Sequence, residues 1–114
     1  MCCEHGIGVG KDAAQALAYY RLAADQGHAV AQYNLGLCYE NGSGVGKDAA
    51  QAVAYYRLAA DQDHDKGIFS LGTCYERGIG VARSREEAVR LYRLAASKGH
   101  VGSVEALQRL GEQL

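Results

Sequence analysis

Apolar positions along this chain fall at helical spacing, and the pattern repeats every 36 residues. Gly8–Gln26 reads GVGKDAAQALAYYRLAADQ and Gly44–Gln62 reads GVGKDAAQAVAYYRLAADQ; they differ only at Leu17 and Val53. Gly80–Lys98, GVARSREEAVRLYRLAASK, is a diverged third copy in the same register. The offset carries Cys2 onto Cys38 and Cys74, Tyr20 onto Tyr56 and Tyr92, and His28 onto His64 and His100. A fixed period of this length marks an architecture in which each unit buries its apolar face against its neighbours.

Each unit divides into two helices. The second helix of a unit is expected to start at Asp12, Asp48 or Ser84, whose side-chain oxygen suits an N-cap, with Gln15, Gln51 or Glu87 three residues later. Ala16, Tyr20, Ala23 and Ala24 then share one helical face. Gly27 and Gly99 close this helix in the left-handed conformation, while Asp63 replaces the glycine in the middle copy and predicts a less regular turn. First helices are predicted over Ala29–Asn41, Asp65–Arg77 and Gly102–Gln113, with apolar edges at Leu35, Cys38, Tyr39 and at Leu71, Cys74, Tyr75. Gly36 and Gly72 stand in mid-helix, where glycine costs about 1 kcal/mol against alanine. A cost that recurs at one position predicts close approach of a neighbouring helix. A G-x-G-V turn reverses the chain between the two helices.

Ala31, Leu35, Gly36, Tyr39, Gly42, Gly44, Val45, Asp48, Ala52, Tyr56, Ala59 and Ala60 together form a pattern that resembles the Sel1-like repeat, a relative of the tetratricopeptide repeat. The resemblance spans essentially the whole chain. It departs at Asp63 in the final glycine place, at Gly67 and Ser103 for the small alanine, at Ser84 for the aspartate and at Cys3 for the tyrosine. It implies an all-α fold, a right-handed α-solenoid of antiparallel helix pairs whose first helices line the concave side. The units fall at approximately 1–28, 29–64 and 65–100 of a single domain, followed by a terminal capping helix over 101–114.

The two ends differ. Met1-Cys2-Cys3-Glu4 reads as the last turn of a first helix, so the helix after it is expected to lack a hairpin partner. Either this is a fragment of a longer array, or the open end pairs with another copy and makes a homo-oligomer. Glu105, Gln108, Arg109, Glu112 and Gln113 give the last helix the polar face expected of a cap.

Composition narrows the function. A net charge of −1 with both signs interspersed argues against nucleic-acid binding and against an anionic membrane surface. No apolar run approaches the roughly 18 residues of a bilayer span, and no signal-peptide order opens the chain. Cys38 and Cys74, one repeat apart, are expected to be too distant for a disulfide, and the short C-x-x-C spacing of a zinc site is absent. They read as buried thiols, which favours a reduced, intracellular protein; Cys2 and Cys3 at the terminus are candidates for intermolecular bonds on oxidation. His28, His64 and His100 are likewise too far apart to share a metal and sit where they meet helix-terminal carbonyls. Gly42-Ser43-Gly44-Val45-Gly46-Lys47-Asp48 imitates a phosphate loop, but Asn41 replaces its first glycine and Asp48 its magnesium-binding hydroxyl. Gly6-Ile7-Gly8 fails as a dinucleotide fingerprint because no strand precedes it. No nucleophile–base pair or paired carboxylates emerge, so neither an enzyme nor a cofactor is expected.

What is left is binding. Positions that the repeat does not demand are Val30, Tyr33, Asn34, Leu37, Glu40 and Asn41 on one first helix, Lys66, Phe69, Ser70, Thr73, Glu76 and Arg77 on the next, then Glu105 and Arg109. By analogy with tetratricopeptide grooves they face the concave side. Their mixture of aromatic, amide and charged groups suits a peptide or partner protein. The expected function is a scaffold or adaptor.

Overall fold

The computed structural model describes residues 9–42 and 45–112, with side chains from Gln15 onward. The described residues form six helices and no strand: α1 (Val9–Asp25), α2 (Ala29–Asn41), α3 (Ala49–Ala60), α4 (Asp65–Arg77), α5 (Arg85–Ser97) and α6 (Val101–Arg109). Helices α2 and α4 begin and end at the residues expected from the sequence.

The caps follow the chemistry of their residues. Asp48 Oδ1 accepts from the Gln51 amide at 3.1 Å, and Ser84 Oγ accepts from the Glu87 amide at 3.2 Å. Helix α1 departs from this: it begins at Val9, so Asp12 lies inside the helix and does not cap it. Gly6–Gly8, Ser43 and Gly44 lie outside the described residues, as do Cys2 and Cys3.

Three successive second helices end in one motif. The His28, His64 and His100 amides each donate 3.2 Å back to the carbonyls of Ala23, Ala59 and Ala95. The preceding Gly27, Asp63 and Gly99 sit at φ +87°, +61° and +88°. This is the Schellman arrangement, which satisfies terminal carbonyls that have no partner within the helix. Asp63 adopts the same left-handed conformation as the glycines, so the middle turn is regular. The three histidines serve the terminal carbonyls through their backbone, not their rings, and each is the N-cap residue of the next helix. Only His100 also caps with its side chain, its Nδ1 accepting from the Ser103 amide at 3.1 Å. Helix α6 stops at Arg109, short of the expected Gln113, where Leu110 and the left-handed Gly111 turn the chain.

Consecutive helices pack pairwise into a body of 45 × 23 × 23 Å. Within the row of first helices α2 also touches α4. The core runs along the axis through Leu35, Cys38, Ala52, Tyr56, Ile68, Leu71, Cys74 and Leu91, then Ala88, Tyr92, Ala106 and Leu107. Gly36 and Gly72 explain themselves here. A Cβ on Gly36 would lie 2.5 Å from the Tyr56 ring, and one on Gly72 would lie 2.9 Å from the Tyr92 ring. The tyrosine of the second helix packs closely against the glycine of the first.

Cysteine chemistry corrects one expectation. Cys74 is a free, buried thiol, but Cys38 is disulfide-bonded, with its partner outside the described residues. The rise per repeat argued only against a bond between Cys38 and Cys74. It did not exclude another partner, and reduced cysteines no longer support an intracellular location.

Candidate interaction surface

The surface is built on the first helices α2, α4 and α6, and the repeat decides which of its side chains are committed inward. Tyr33 and Phe69 occupy equivalent places. Tyr33 packs on Tyr56 with ring centroids 5.9 Å apart and meets His64 edge-on at 5.5 Å. Phe69 packs on Tyr92 at 5.5 Å and on His100 at 4.8 Å. Each ring therefore plugs a slot between the second helix of its own hairpin and the histidine that opens the next. Such partly exposed aromatic contacts contribute packing and still leave an edge accessible.

The glutamates are committed more firmly. Tyr56 Oη donates to Glu40 Oε1 at 2.5 Å, and Tyr92 Oη donates to Glu76 Oε1 at 2.6 Å. Arg109 adds two bonds to Glu76, at 2.6 and 3.1 Å. The Arg109 guanidinium, with help from the Tyr92 hydroxyl, holds the Glu76 carboxyl down at about 2. Burial, then the Glu76 carboxylate, pushes the Tyr92 phenol up to about 12. Burial and Glu40 shift Tyr56 further in the same direction. Thr73 Oγ1 donates to the Phe69 carbonyl at 3.2 Å and lies 3.1 Å from Tyr92 Oη. Burial also lowers the pKa of His64, whose Nε2 is buried without a hydrogen-bond partner among the described residues.

The remaining expected residues face outward to different degrees. Lys66, Asn41, Arg77, Val30 and Glu105 are exposed, and Asn34, Leu37 and Ser70 are half-buried. Phe69, Gly102, Glu105, Ala106 and Arg109 line a cleft of about 390 Å³ between α4 and α6. The structure thus brings Phe69 of α4 together with Glu105 and Arg109 of α6 at one cleft, while Lys66, Ser70, Thr73, Glu76 and Arg77 do not line it. On α2, Glu40 and Tyr33 are directed at α3 and at the turn after it.

Sequence reasoning missed the tyrosine–glutamate pairs, although a signal was present. Glu40, Glu76 and Glu112 recur at the repeat offset, and recurrence marks a structural position. It likewise missed Arg21 donating to Tyr39 Oη at 2.7 Å and Arg57 donating to Tyr75 Oη at 3.0 Å, the same bond in successive repeats. Among the described residues no cluster of three or more His, Cys, Asp or Glu could hold a metal ion. No helix there is long and apolar enough to cross a membrane.

Comparison with known proteins agrees with this geometry. The family model described as "Sel1 repeat" matches residues 1–28, 29–64 and 66–100. No protein of curated function matches the chain in sequence. Among solved structures, the c5321 protective antigen of uropathogenic Escherichia coli, which displays an SLR fold, is similar at 43% identity and a TM-score of 0.82, over 83% of this chain and 20% of that protein. A Sel1 repeat protein from Oxalobacter formigenes is 45% identical with a TM-score of 0.72, over 75% of this chain and 34% of its own. The Helicobacter pylori cysteine rich protein B is 28% identical with a TM-score of 0.76, over 80% of this chain and 68% of its own. The chain therefore spans a fifth and a third of the length of the first two. Sel1 repeat proteins are commonly protein-interaction scaffolds and typically not enzymes. With three repeats in register and six helices packed as consecutive pairs, the chain belongs to the Sel1 repeat family.

Proposed function

We propose that this chain is a non-catalytic scaffold that binds a peptide segment or partner protein along its row of first helices. The observation that carries the reading is the cleft of about 390 Å³ between α4 and α6, floored by Phe69 and rimmed by Glu105 and Arg109. Lys66 and Arg77 on α4 add exposed charges to the same row. Asn34, Leu37, Asn41 and Ser70 extend the same row with amide, apolar and hydroxyl groups. A rigid frame with adaptable polar groups at its rim suits recognition of an extended segment. Tyr33, Phe69, Glu40, Thr73 and Glu76 belong to the frame, because their side chains already serve the fold.

Site-specific photocrosslinking tests this. A benzophenone side chain placed at Ser70 or Arg77 is expected to crosslink partners, and one at the exposed Leu58 on the opposite row is not. The pair Lys66→Glu with Arg77→Glu is expected to weaken capture at least tenfold with an unchanged melting curve. Dominant crosslinking from Leu58, or undiminished capture by the folded charge-reversal variant, would refute the assignment.

A further inference from the structure

Helix α6 departs from the earlier first helices at two positions that meet in one place. Tyr33 of α2 and Phe69 of α4 are equivalent, and their equivalent in α6 is Glu105. Lys66, near the start of α4, has Gly102 as its equivalent in α6. Gly102 and Glu105 both line the cleft of about 390 Å³, with Phe69, Ala106 and Arg109. Two changes of chemistry thus converge on one cleft, where the frame of the repeat does not ask for them.

Each change has a physical consequence. A Cβ on Gly102 would come 3.8 Å from Phe69 Cε1, so the glycine leaves that part of the ring uncovered. The ring itself is fixed by Tyr92 and His100, with centroids 5.5 and 4.8 Å away. Glu105 adds an exposed carboxylate at the rim. Arg109 is engaged elsewhere, since both of its terminal nitrogens are bound to Glu76, at 2.6 and 3.1 Å. Two carboxylates against one guanidinium leave negative charge in excess.

The preceding repeat shows what such a place receives. The offset puts Tyr33 where Phe69 stands, His64 where His100 stands and Lys66 where Gly102 stands. Tyr33 meets His64 edge-on at 5.5 Å. Burial lowers the His64 pKa, and the Lys66 charge adds to that lowering against the opposing Asp65. The Lys66 ammonium is therefore near enough for its field to be felt at that pair of rings.

We infer that the cleft between α4 and α6 receives a basic side chain, lysine or arginine, from the segment bound along the first helices; this rests on the scaffold reading above. The aliphatic stem covers Phe69, Gly102 and Ala106, and the cationic head meets Glu105 in water. Long basic side chains suit such a place because they combine an apolar stem with a charged tip. Other classes fit worse. An acidic side chain would face Glu105 and find the terminal nitrogens of Arg109 already bound. An apolar one would take the Glu105 carboxylate out of water without a partner, which is unfavourable.

The test titrates the isotopically labelled full chain with acetyl-Gly-Gly-Lys-Gly-Gly-amide at low ionic strength, beside versions carrying norleucine or glutamate at the centre. Saturable amide shifts are expected at Phe69, Gly102, Glu105 and Ala106. The norleucine peptide is expected to bind about two- to fivefold more weakly, as loss of one exposed ion pair predicts, and the glutamate peptide more weakly still. Glu105→Gln, an exposed change of near-equal size, is expected to remove the lysine preference and to leave the norleucine peptide and the melting curve unchanged. Shifts centred elsewhere, no saturation at the solubility limit, or a lysine preference that survives Glu105→Gln would each overturn the proposal. Partner crosslinking from Ser70 or Arg77 reads the scaffold assignment separately. Crosslinking retained without a lysine preference refutes the basic anchor alone; a preference that holds while crosslinking is lost refutes the partner row and supports the cleft chemistry.

Discussion

Gly36→Ala adds one methyl group where helix propensity favours it. Alanine is preferred in a helix interior by about 1 kcal/mol. The added Cβ, however, would sit 2.5 and 2.6 Å from two carbons of the Tyr56 ring. That ring cannot swing aside, because it is fully buried and its hydroxyl is fixed on Glu40 at 2.5 Å. Overpacking a core costs about 1–3 kcal/mol. Displacing the phenol also forfeits a hydrogen bond to a charged group, worth about 1.5–3 kcal/mol. With the propensity gain subtracted, the net loss is about 3 kcal/mol, which lowers the melting temperature by roughly 10 °C for a domain of this size. Thermal unfolding followed by far-ultraviolet circular dichroism measures it. Gly72→Ala, at 2.9 Å from the Tyr92 ring, is expected to lose less, and Gly46→Ala, with nothing within 4 Å, to be neutral or slightly stabilising. In a Tyr56→Leu background the penalty of Gly36→Ala is expected to shrink by more than about 1 kcal/mol. A Gly36→Ala protein as stable as the Gly46→Ala control would refute the account of why these glycines recur.

Asp63→Gly is expected to raise stability by about 1 kcal/mol, because a left-handed residue with a side chain is strained and the equivalents are glycines. The ion pair it loses, Lys98 with Asp63 at 3.7 Å on an exposed side chain, is worth less than that. Chemical denaturation measures the difference, and a loss on substitution contradicts it. The Glu76 carboxyl is lowered from 4.5 to about 2 in the folded chain. Its stabilisation is therefore fully present above pH 4.5 and is lost as pH falls from there towards 2. Arg109→Met is expected to flatten that part of the stability–pH profile; an unchanged profile would exclude the pair as its source. Burial, with Glu40 as a lesser cause, pushes the Cys74 thiol up to about 12. Iodoacetamide at neutral pH is thus expected to label Cys74 only in denaturant, and mass spectrometry showing labelling of the native chain would contradict that.

The 36-residue period made the number, type and order of helices legible, because recurrence separates structural positions from the rest. The bounds of α2 and α4 were legible from their apolar edges and the glycine turn that follows each, while the N-cap role of His28 and His64 came from the structure. The start of α1 was not legible, since Asp12 has the chemistry of a cap and yet sits within the helix. The interaction surface was legible as a row of positions but not as accessible side chains. Glu40 and Glu76 looked free in the sequence, and tyrosines 16 residues away hold them.

By itself, then, the sequence determined the repeat, the paired-helix fold and the absence of charge or spacing suited to metals and nucleic acid. Such features are local or periodic and can be read along one dimension. Tertiary structure decided which polar groups are spent inside the array and that Cys38 is bonded while Cys74 is free. The physical reason is distance: a solenoid brings side chains 16 to 33 residues apart into contact, and only their packing reveals which partners have already been found.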